Sequence, residues 1–270
     1  MSHSPTSILF VGDLVGGLGR RTLLGLLPGL RERLDPTFVV VNGENVAGGL
    51  GITPKLADEI FGAGVDVITL GNHAFHRSEI YPYLDSEDRI LRPANYLRSQ
   101  PGHGTCMVER DGVRLGVVNL SGNVFLRAGH PAFPYADACV NELTKAGADQ
   151  ILVDFHAEAT SEKVALGWHL DGRVTGVVGT HTHVPTADGR VLPGGTAYIT
   201  DVGMTGPRGG VIGVKREQAI ESLVTQMHVR FETAEEDPWL NGVLIRCSGP
   251  RQAAEIEQVL LPFQAPTPGS

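Results

Sequence analysis

Several patterns are missing from this chain, and each absence removes a class of function. Cysteine is scarce. Cys106, Cys139 and Cys247 are scattered, odd in number and form no Cys-x-x-Cys pair. That excludes a disulfide framework, and reduced thiols imply a cytoplasmic protein. Positive charge is in deficit, with 22 Lys and Arg against 30 Asp and Glu and a net charge of -8. A general nucleic-acid surface needs a basic face, so none is expected. A small phosphate substrate is still compatible, because bound metal reverses the local sign. No apolar run approaches membrane-spanning length. The N-terminus has no basic region followed by a long apolar stretch, so neither a membrane nor a signal peptide is expected. No lysine follows a glycine, which excludes a Walker-type phosphate loop, and no Gly-x-Ser-x-Gly elbow is present for an esterase triad.

What is present is a globular composition. The 270 residues are 41% hydrophobic and 19% charged, enough for a sizeable core. The 35 glycines gather at the ends of apolar runs, as tight loops after strands require. No repeat, low-complexity block or linker interrupts the chain. A single domain over residues 1–270 is the simplest reading, with 263–270 as a flexible Pro/Gly/Ser-rich tail.

The pattern centres on Gly179-Thr180-His181-Thr182-His183, which follows the β-branched run Val174–Val178. Two imidazoles two residues apart at a strand end can face one side of a sheet and offer two nitrogens to a metal. The pair alone is a weak signal, and its context strengthens it. Ser7–Val11 reads as a strand ending in Gly12-Asp13. Phe38–Val41 ends in Asn42-Gly43-Glu44-Asn45, and Val65–Leu70 ends in Gly71-Asn72-His73. Helices are expected over 21–34 and from Pro54, with Thr53 as N-cap. This βαβαβ alternation predicts a largely parallel sheet. Asp111-Gly112 between two apolar runs signals a hairpin. Residues 121–134 read as a long loop that could form part of a lid. Ile151–Asp154 leads to His156, and Val243–Cys247 reads as a late antiparallel strand.

Ligands of open α/β sheets bind beyond the carboxyl ends of the strands. Asp13, Glu44, Asn45, Asn72, His73, His156, His181 and His183 all sit at such ends, so five loops would converge on one crevice. Each residue has a bland alternative. Asp13 could cap a helix, Glu44-Asn45 could stabilise a turn, and a lone His156 is more often packed than ligating. Jointly those alternatives require five coincidences. Imidazole, carboxylate and amide oxygen without thiolate suit first-row divalent metals. Arg20, Asp154, Glu158, Asp171, Asp188 and Asp201 are assigned to capping, ion pairs or support of ligands. Gly16-Gly17-Leu18-Gly19 makes a dinucleotide site conceivable, but its spacing is not Gly-x-Gly-x-x-Gly. Trp168 and Trp239 read as packing residues rather than base-stacking platforms.

With Gly12-Asp13, Gly71-Asn72-His73 and Gly179–His183 in this order, the chain resembles the calcineurin-like metallophosphoesterases. Over residues 8–213 it more closely resembles the YmdB family of bacterial phosphodiesterases. Asn42–Asn45, Arg92-Pro93-Ala94-Asn95, Asp154–Lys163 and Thr200–Pro207 carry that likeness. The resemblance implies a four-layer αββα sandwich and two metal ions, iron or manganese, with zinc also compatible. Asp13, Glu44, Asn45 and His183 would hold one ion. Glu44, Asn72, His156 and His181 would hold the other, with Glu44 bridging. It further implies hydrolysis of phosphodiesters such as 2′,3′-cyclic nucleotides, in which hydroxide shared by the ions attacks phosphorus and His73 protonates the departing oxygen. Two departures stand out. Asp13-Leu14-Val15 lacks the superfamily's usual Asp-x-His, and Phe75-His76 replaces a Trp-Asp pair frequent in the family, which changes the pocket rim. The competing functions are a phosphomonoesterase with the same core and a regulatory or scaffold protein with a structural metal site. The expected partner is a small phosphodiester substrate, and homo-oligomerisation is left open.

Overall fold

The computed structural model describes residues 6–264. Two mixed sheets pack face to face, and helices cover both outer faces. The first sheet is built on β1 (Ser7–Val11), β2 (Phe38–Asn42), β3 (Val67–Thr69) and β4 (Ile90–Leu91), all mutually parallel. The second contains β5 (Thr105–Arg110), β6 (Val113–Ser121), β7 (Gln150–His156), β8 (Gly176–Thr180), β9 (Arg190–Val191) and β10 (Ala197–Ile199). In it β6, β7, β8 and β10 are parallel, with antiparallel β5 and β9 at the edges. The chain then returns to the first sheet through β11 (Gly206–Pro207), β12 (Pro238–Gly249) and β13 (Gln252–Pro262). β12 runs antiparallel to β1 and carries β11 and β13, which makes this sheet seven-stranded. The largely parallel sheet expected from the βαβαβ order is found in β1–β4, and the expected late antiparallel strand, β12, is longer than its apolar run.

Period-2 alternation sorts the core into layers. Ile8, Phe10, Phe38, Val40 and Val67 face the second sheet and meet Leu115, Val117, Leu152, Val178 and Ile199. Their neighbours Leu9, Val11, Val39 and Val41 face outward. Against them pack α1 (Gly16–Leu34), α2 (Pro54–Gly62) and the short α3 (Tyr81–Ser86). On the far side Val118, Leu120, Val153, Phe155 and Tyr198 pack under α4 (Ala132–Lys145) and α5 (Thr160–Leu170). The last helix, α6 (Arg216–Thr225), buries only Ala219. The result is the expected αββα arrangement of four layers.

Several local expectations hold. Thr53 caps α2, its hydroxyl accepting from the Leu56 N–H at 3.3 Å. Asp111 and Gly112 both take positive φ, 53° and 77°, as a two-residue hairpin turn between paired Arg110 and Val113 demands. Others are corrected. Gly16–Gly19 is not a loop but the first turn of α1, so the helix starts before residue 21. Residues 121–134 are shorter as a loop than expected, because Ser121 ends β6 and α4 begins at Ala132. The loop is pinned to α5, whose Glu162 accepts from the N–H groups of Asn123 and Val124. Trp168 is half exposed rather than packed. Of the tail, Phe263 is tied down by its N–H donating to the Pro238 carbonyl at 2.8 Å, and residues 265–270 lie outside the described residues. Among the described residues no helix is long and apolar enough to cross a membrane.

Candidate metal centre

At the carboxyl ends of the parallel strands the apolar seam between the sheets turns polar. Asn42 at the end of β2 donates to Asp154 of β7 at 3.0 Å, and Thr69 of β3 donates to the same carboxylate. Asn119 of β6 donates to the carbonyls of Leu70 and Leu91 at 2.7 and 2.8 Å. All five residue positions that anchor this layer, Asn42, Thr69, Asn119, Asp154 and Thr180, are fully buried. Polar groups at such depth are mostly paired, and among these side chains only the Asn119 Oδ1 is without a partner; the pairing also locks one sheet to the other beneath the site.

Above this layer the structure brings together all eight residues singled out in the sequence. Asp13 follows β1, Glu44 and Asn45 follow β2, and Asn72 and His73 follow β3. His156 ends β7, and His181 and His183 follow β8. The Glu44 Oε1 lies 3.1 Å from the His156 Nε2, and the Asn72 Oδ1 lies 2.8 Å from the same nitrogen. The Asn45 Nδ2 sits 3.1 Å from Glu44 Oε1 and 3.2 Å from His183 Nε2. Asp13 Oδ1 is 3.9 Å from His156 Nδ1 and 4.0 Å from His183 Nε2, while its Oδ2 accepts from the His181 N–H at 3.2 Å. The His156 and His181 rings are 4.7 Å apart. Glu44, His156 and His181 form a candidate metal cluster whose ligand atoms all lie within 4.8 Å of one another.

The two histidines of the central motif do not converge by strand alternation. β8 runs to Thr180, two residues beyond the expected run, and His181 and His183 lie past its end with φ of 92° and 66°. Left-handed backbone at non-glycine residues is costly, about 1–3 kcal/mol each, and needs surroundings that enforce it. Asp201 supplies them. Its Oδ2 accepts from the Thr182 N–H and hydroxyl at 3.2 and 2.6 Å and from the Lys163 Nζ at 2.7 Å. Lys163 was legible only as part of a family-like block. Its burial and its partner 38 residues away carry no local sequence signal.

His156 is oriented from behind. Its Nδ1 faces the Thr180 hydroxyl at 3.0 Å, and that hydroxyl donates to Asp154 at 2.7 Å. The acceptor chain places the proton on Nδ1 and aims Nε2 at Glu44 and Asn72. Of the residues assigned to support, Asp154 closes this chain and Glu158 lies 3.0 Å from His181 Nε2. Arg20 pairs with Glu59, and Asp171 and Asp188 accept from loop N–H groups.

The electrostatics fit a cation. Asp13 is fully buried, and its Oδ1 has no hydrogen-bond partner. Burial raises its pKa to about 6 even though His183 and His156 pull it down. Burial would also raise Glu44, but the His156 charge beside it prevails and holds it at about 2. His156 is the converse: burial lowers it, and Glu44 overrides this to raise it to about 9. Burial, then repulsion from His156, push His181 down to about 3, leaving a neutral imidazole with a lone pair to offer. An unpartnered carboxylate oxygen, a proton wedged among three ligand-type atoms and a neutral imidazole are a donor set for a metal ion.

His73 stands at the edge of the cluster, half-buried. Its N–H donates to Glu44 Oε2 at 3.0 Å, and its ring Nε2 lies 3.2 Å from Asn72 Nδ2. Its Nδ1 meets the Nδ1 of exposed His76 at 3.2 Å, a contact the sequence did not suggest. Burial lowers its pKa against the attraction of Glu44.

Comparison with known proteins agrees with this architecture. The YmdB-like protein family model matches residues 9–259. The chain is 46% identical over 255 residues to a 2′,3′-cyclic-nucleotide 2′-phosphodiesterase of Bacillus subtilis (strain 168), covering 94% of this chain and 96% of that protein. Among solved structures, a hypothetical protein from Thermus thermophilus superposes with a TM-score of 0.90 at 37% identity, over 96% of this chain and 100% of the other. A phosphatase of Mycoplasma pneumoniae superposes with a TM-score of 0.88 at 33% identity, over 96% and 94% of the two chains. With nearly its whole length matched, the chain belongs to the YmdB-like family of calcineurin-like metallophosphoesterases.

Proposed function

We propose that this protein is a dinuclear metal-dependent phosphodiesterase that opens 2′,3′-cyclic nucleotides, acting as a single domain on a small phosphodiester substrate. The coarser reading, a phosphoesterase-type hydrolase, rests on family membership. The observation that carries the finer one is the convergence of five strand ends on a buried donor set with a histidine at its open edge. The name of the Bacillus subtilis relative, a 2′,3′-cyclic-nucleotide 2′-phosphodiesterase, supports that substrate class. Asp13, Glu44, Asn45 and His183 would hold one ion, and Glu44, Asn72, His156 and His181 the other, with Glu44 shared. Iron or manganese suits these oxygen and nitrogen donors, and zinc is also compatible. When bound, the ions supply activation of water and neutralisation of phosphate charge.

The chain's own residues supply the rest. His73 stands at the edge of the donor set, its Nε2 accepting from the Asn72 amide nitrogen 3.2 Å away, and as imidazolium it donates a proton to the departing ribose oxygen. General-acid assistance of this kind contributes about 10²–10⁴-fold. Burial favours its neutral form in the free protein, and the negative charge of a bound phosphodiester favours the imidazolium that donates. Glu44 accepts from the His73 backbone N–H, which fixes the donor relative to the donor set.

The test is hydrolysis of a panel by metal-reconstituted protein, with bound metal counted in the same sample. The panel holds 2′,3′- and 3′,5′-cyclic nucleotides and a nucleotide monophosphate. Preferential opening of the 2′,3′-cyclic ring is expected. Free phosphate released from the monophosphate alone would favour the phosphomonoesterase reading, and metal-replete protein inert on every member would refute the proposal. His73→Ala should keep its metal and lose about a hundredfold or more in turnover. Near-wild-type turnover would sink the proton-donor role.

A further inference from the structure

A cavity of about 350 Å³ adjoins the donor set, and His183 belongs to its lining. The His183 Nε2 faces Asn45 and Asp13, while its Nδ1 donates to the Ile212 carbonyl at 2.8 Å. Beyond that ring the cavity is lined by Pro185, Met204, Leu260, Trp239 and Arg208. Its size is that of a small-molecule pocket, and its walls are mostly apolar, with few polar groups. At the edge of the donor set with Asn72 and His73, the exposed His76 adds another polar group.

We infer that this cavity is a nucleobase subsite, which takes the base of a nucleotide whose phosphate lies at the donor set. The inference rests on the proposed reaction and adds where the substrate's base lies. A base is a flat body with apolar faces and a polar edge. The Pro185, Met204 and Leu260 side chains match the faces. Arg208 matches both: its guanidinium lies 4.5 Å from the centre of the Trp239 ring, a planar cation held against an indole. Its N–H groups are donors that the ring nitrogens and carbonyl oxygens of a base in the cavity would accept. The Trp239 N–H is already engaged by Asp237 at 2.8 Å, which fixes the indole orientation. Trp239 is thus a wall of a cavity as well as a packing residue. In a 2′,3′-cyclic nucleotide only the ribose ring separates phosphate from base, and here His183 belongs both to the donor set and to the cavity lining.

The experiment is equilibrium binding to the metal-loaded full chain by calorimetry, which needs no turnover. The probes are adenosine 3′-monophosphate and its base-free counterpart, 1-O-methylribose 3-phosphate. The wild type should bind the nucleotide about tenfold more tightly, as stacking and edge contacts to one base provide. Trp239→Ala should remove most of that preference and leave the base-free affinity unchanged. Arg208→Gln, at an exposed position that does not threaten the sheet, should do the same in part. Equal affinities in the wild type, or a preference retained in both variants, would overturn the subsite. A base preference without turnover of any cyclic nucleotide would keep the subsite and refute the reaction.

Discussion

Lys163→Met should cost this protein a large share of its stability and loosen its metal centre together. The Lys163 side chain is almost wholly buried in the first turns of α5, and its Nζ lies 2.7 Å from the Oδ2 of Asp201, which is completely buried. The methionine fills the space of the lysine stem and removes the charge. Asp201 keeps three neutral donors, the Thr182 N–H and hydroxyl on Oδ2 and the Gly203 N–H on Oδ1. It loses its only ion-pair partner among the described residues. Leaving one member of a buried pair uncompensated costs about 3–5 kcal/mol. Against a total of about 5–15 kcal/mol for a folded domain, that is a large displacement of the unfolding curve. The same carboxylate clamps Thr182 between the left-handed His181 and His183, so bound metal should fall in parallel. Urea unfolding followed by circular dichroism gives the stability, and metal content per chain gives the second readout. A loss below about 1 kcal/mol would refute the claim that the ion pair holds the turn. Lys163→Met/Asp201→Asn supplies the control. It removes the stranded charge while keeping an acceptor for Thr182, so it should be more stable than Lys163→Met alone. A double variant as unstable as the single one would show that lost packing, not the stranded charge, is the cause.

Two further outcomes follow from the site. Gly71→Ala should lose metal and activity, because a Cβ at that position would run into the His156 Nε2 and the Glu44 Oε2. A variant with unchanged metal content would show that the site is not held as closely as this. Metal loading should release a proton and tighten with pH. In the metal-free protein burial opposes charge on His156, and Glu44 prevails to raise its pKa from 6.5 to about 9. A raised histidine stabilises the fold fully below its unfolded pKa, and that contribution is lost as pH rises through about 9. A metal needs the neutral ring, so manganese binding near neutral pH should displace a proton that binding above about pH 9 does not. Calorimetry in two buffers of different ionisation enthalpy measures this, and buffer-independent heats at neutral pH would refute the protonated His156.

Local rules made the strand cores, the α2 cap and the β5–β6 hairpin readable, because each is written in adjacent residues. The candidate site was readable for a related reason. In parallel sheets the residue just past a strand is where a ligand sits, so Asp13, Glu44, Asn72 and His156 could be found by asking how each apolar run ends. What periodicity could not reveal was the second sheet. Strands buried on both faces read as continuous apolar runs, and nothing in Phe38–Val41 tells which face meets a helix and which a sheet. The four-layer arrangement came only from the family likeness. Glycine's usual meaning misled at Gly16–Gly19, where close packing rather than a loop calls for a missing side chain: a Cβ on Gly19 would strike the Thr205 carbonyl. The His181–His183 turn misled in the other direction. Its geometry is imposed by Asp201 and Lys163, partners no local pattern connects.

The pairing of two sheets explains why the site sits where it does. The first sheet contributes Asp13, Glu44, Asn45, Asn72 and His73, and the second contributes His156, His181 and His183. Neither group contains a complete donor set. The distance between them is fixed by the packing of Phe10, Val40 and Val67 on Val117, Leu152 and Val178, then by the Asn42–Asp154 and Thr69–Asp154 hydrogen bonds just above. An apolar interface sets the spacing between sheets coarsely, because side chains of several sizes can fill it. Directional bonds at its upper edge narrow it further. Asp154 therefore has two tasks. Through Asn42 and Thr69 it ties β7 to the first sheet, and through Thr180 it orients the His156 ring toward Glu44. A fully buried carboxylate thus links the assembly of the fold to the geometry of the candidate metal centre. That dual dependence is why the site's residues are spread from position 13 to position 183 yet meet within hydrogen-bond range.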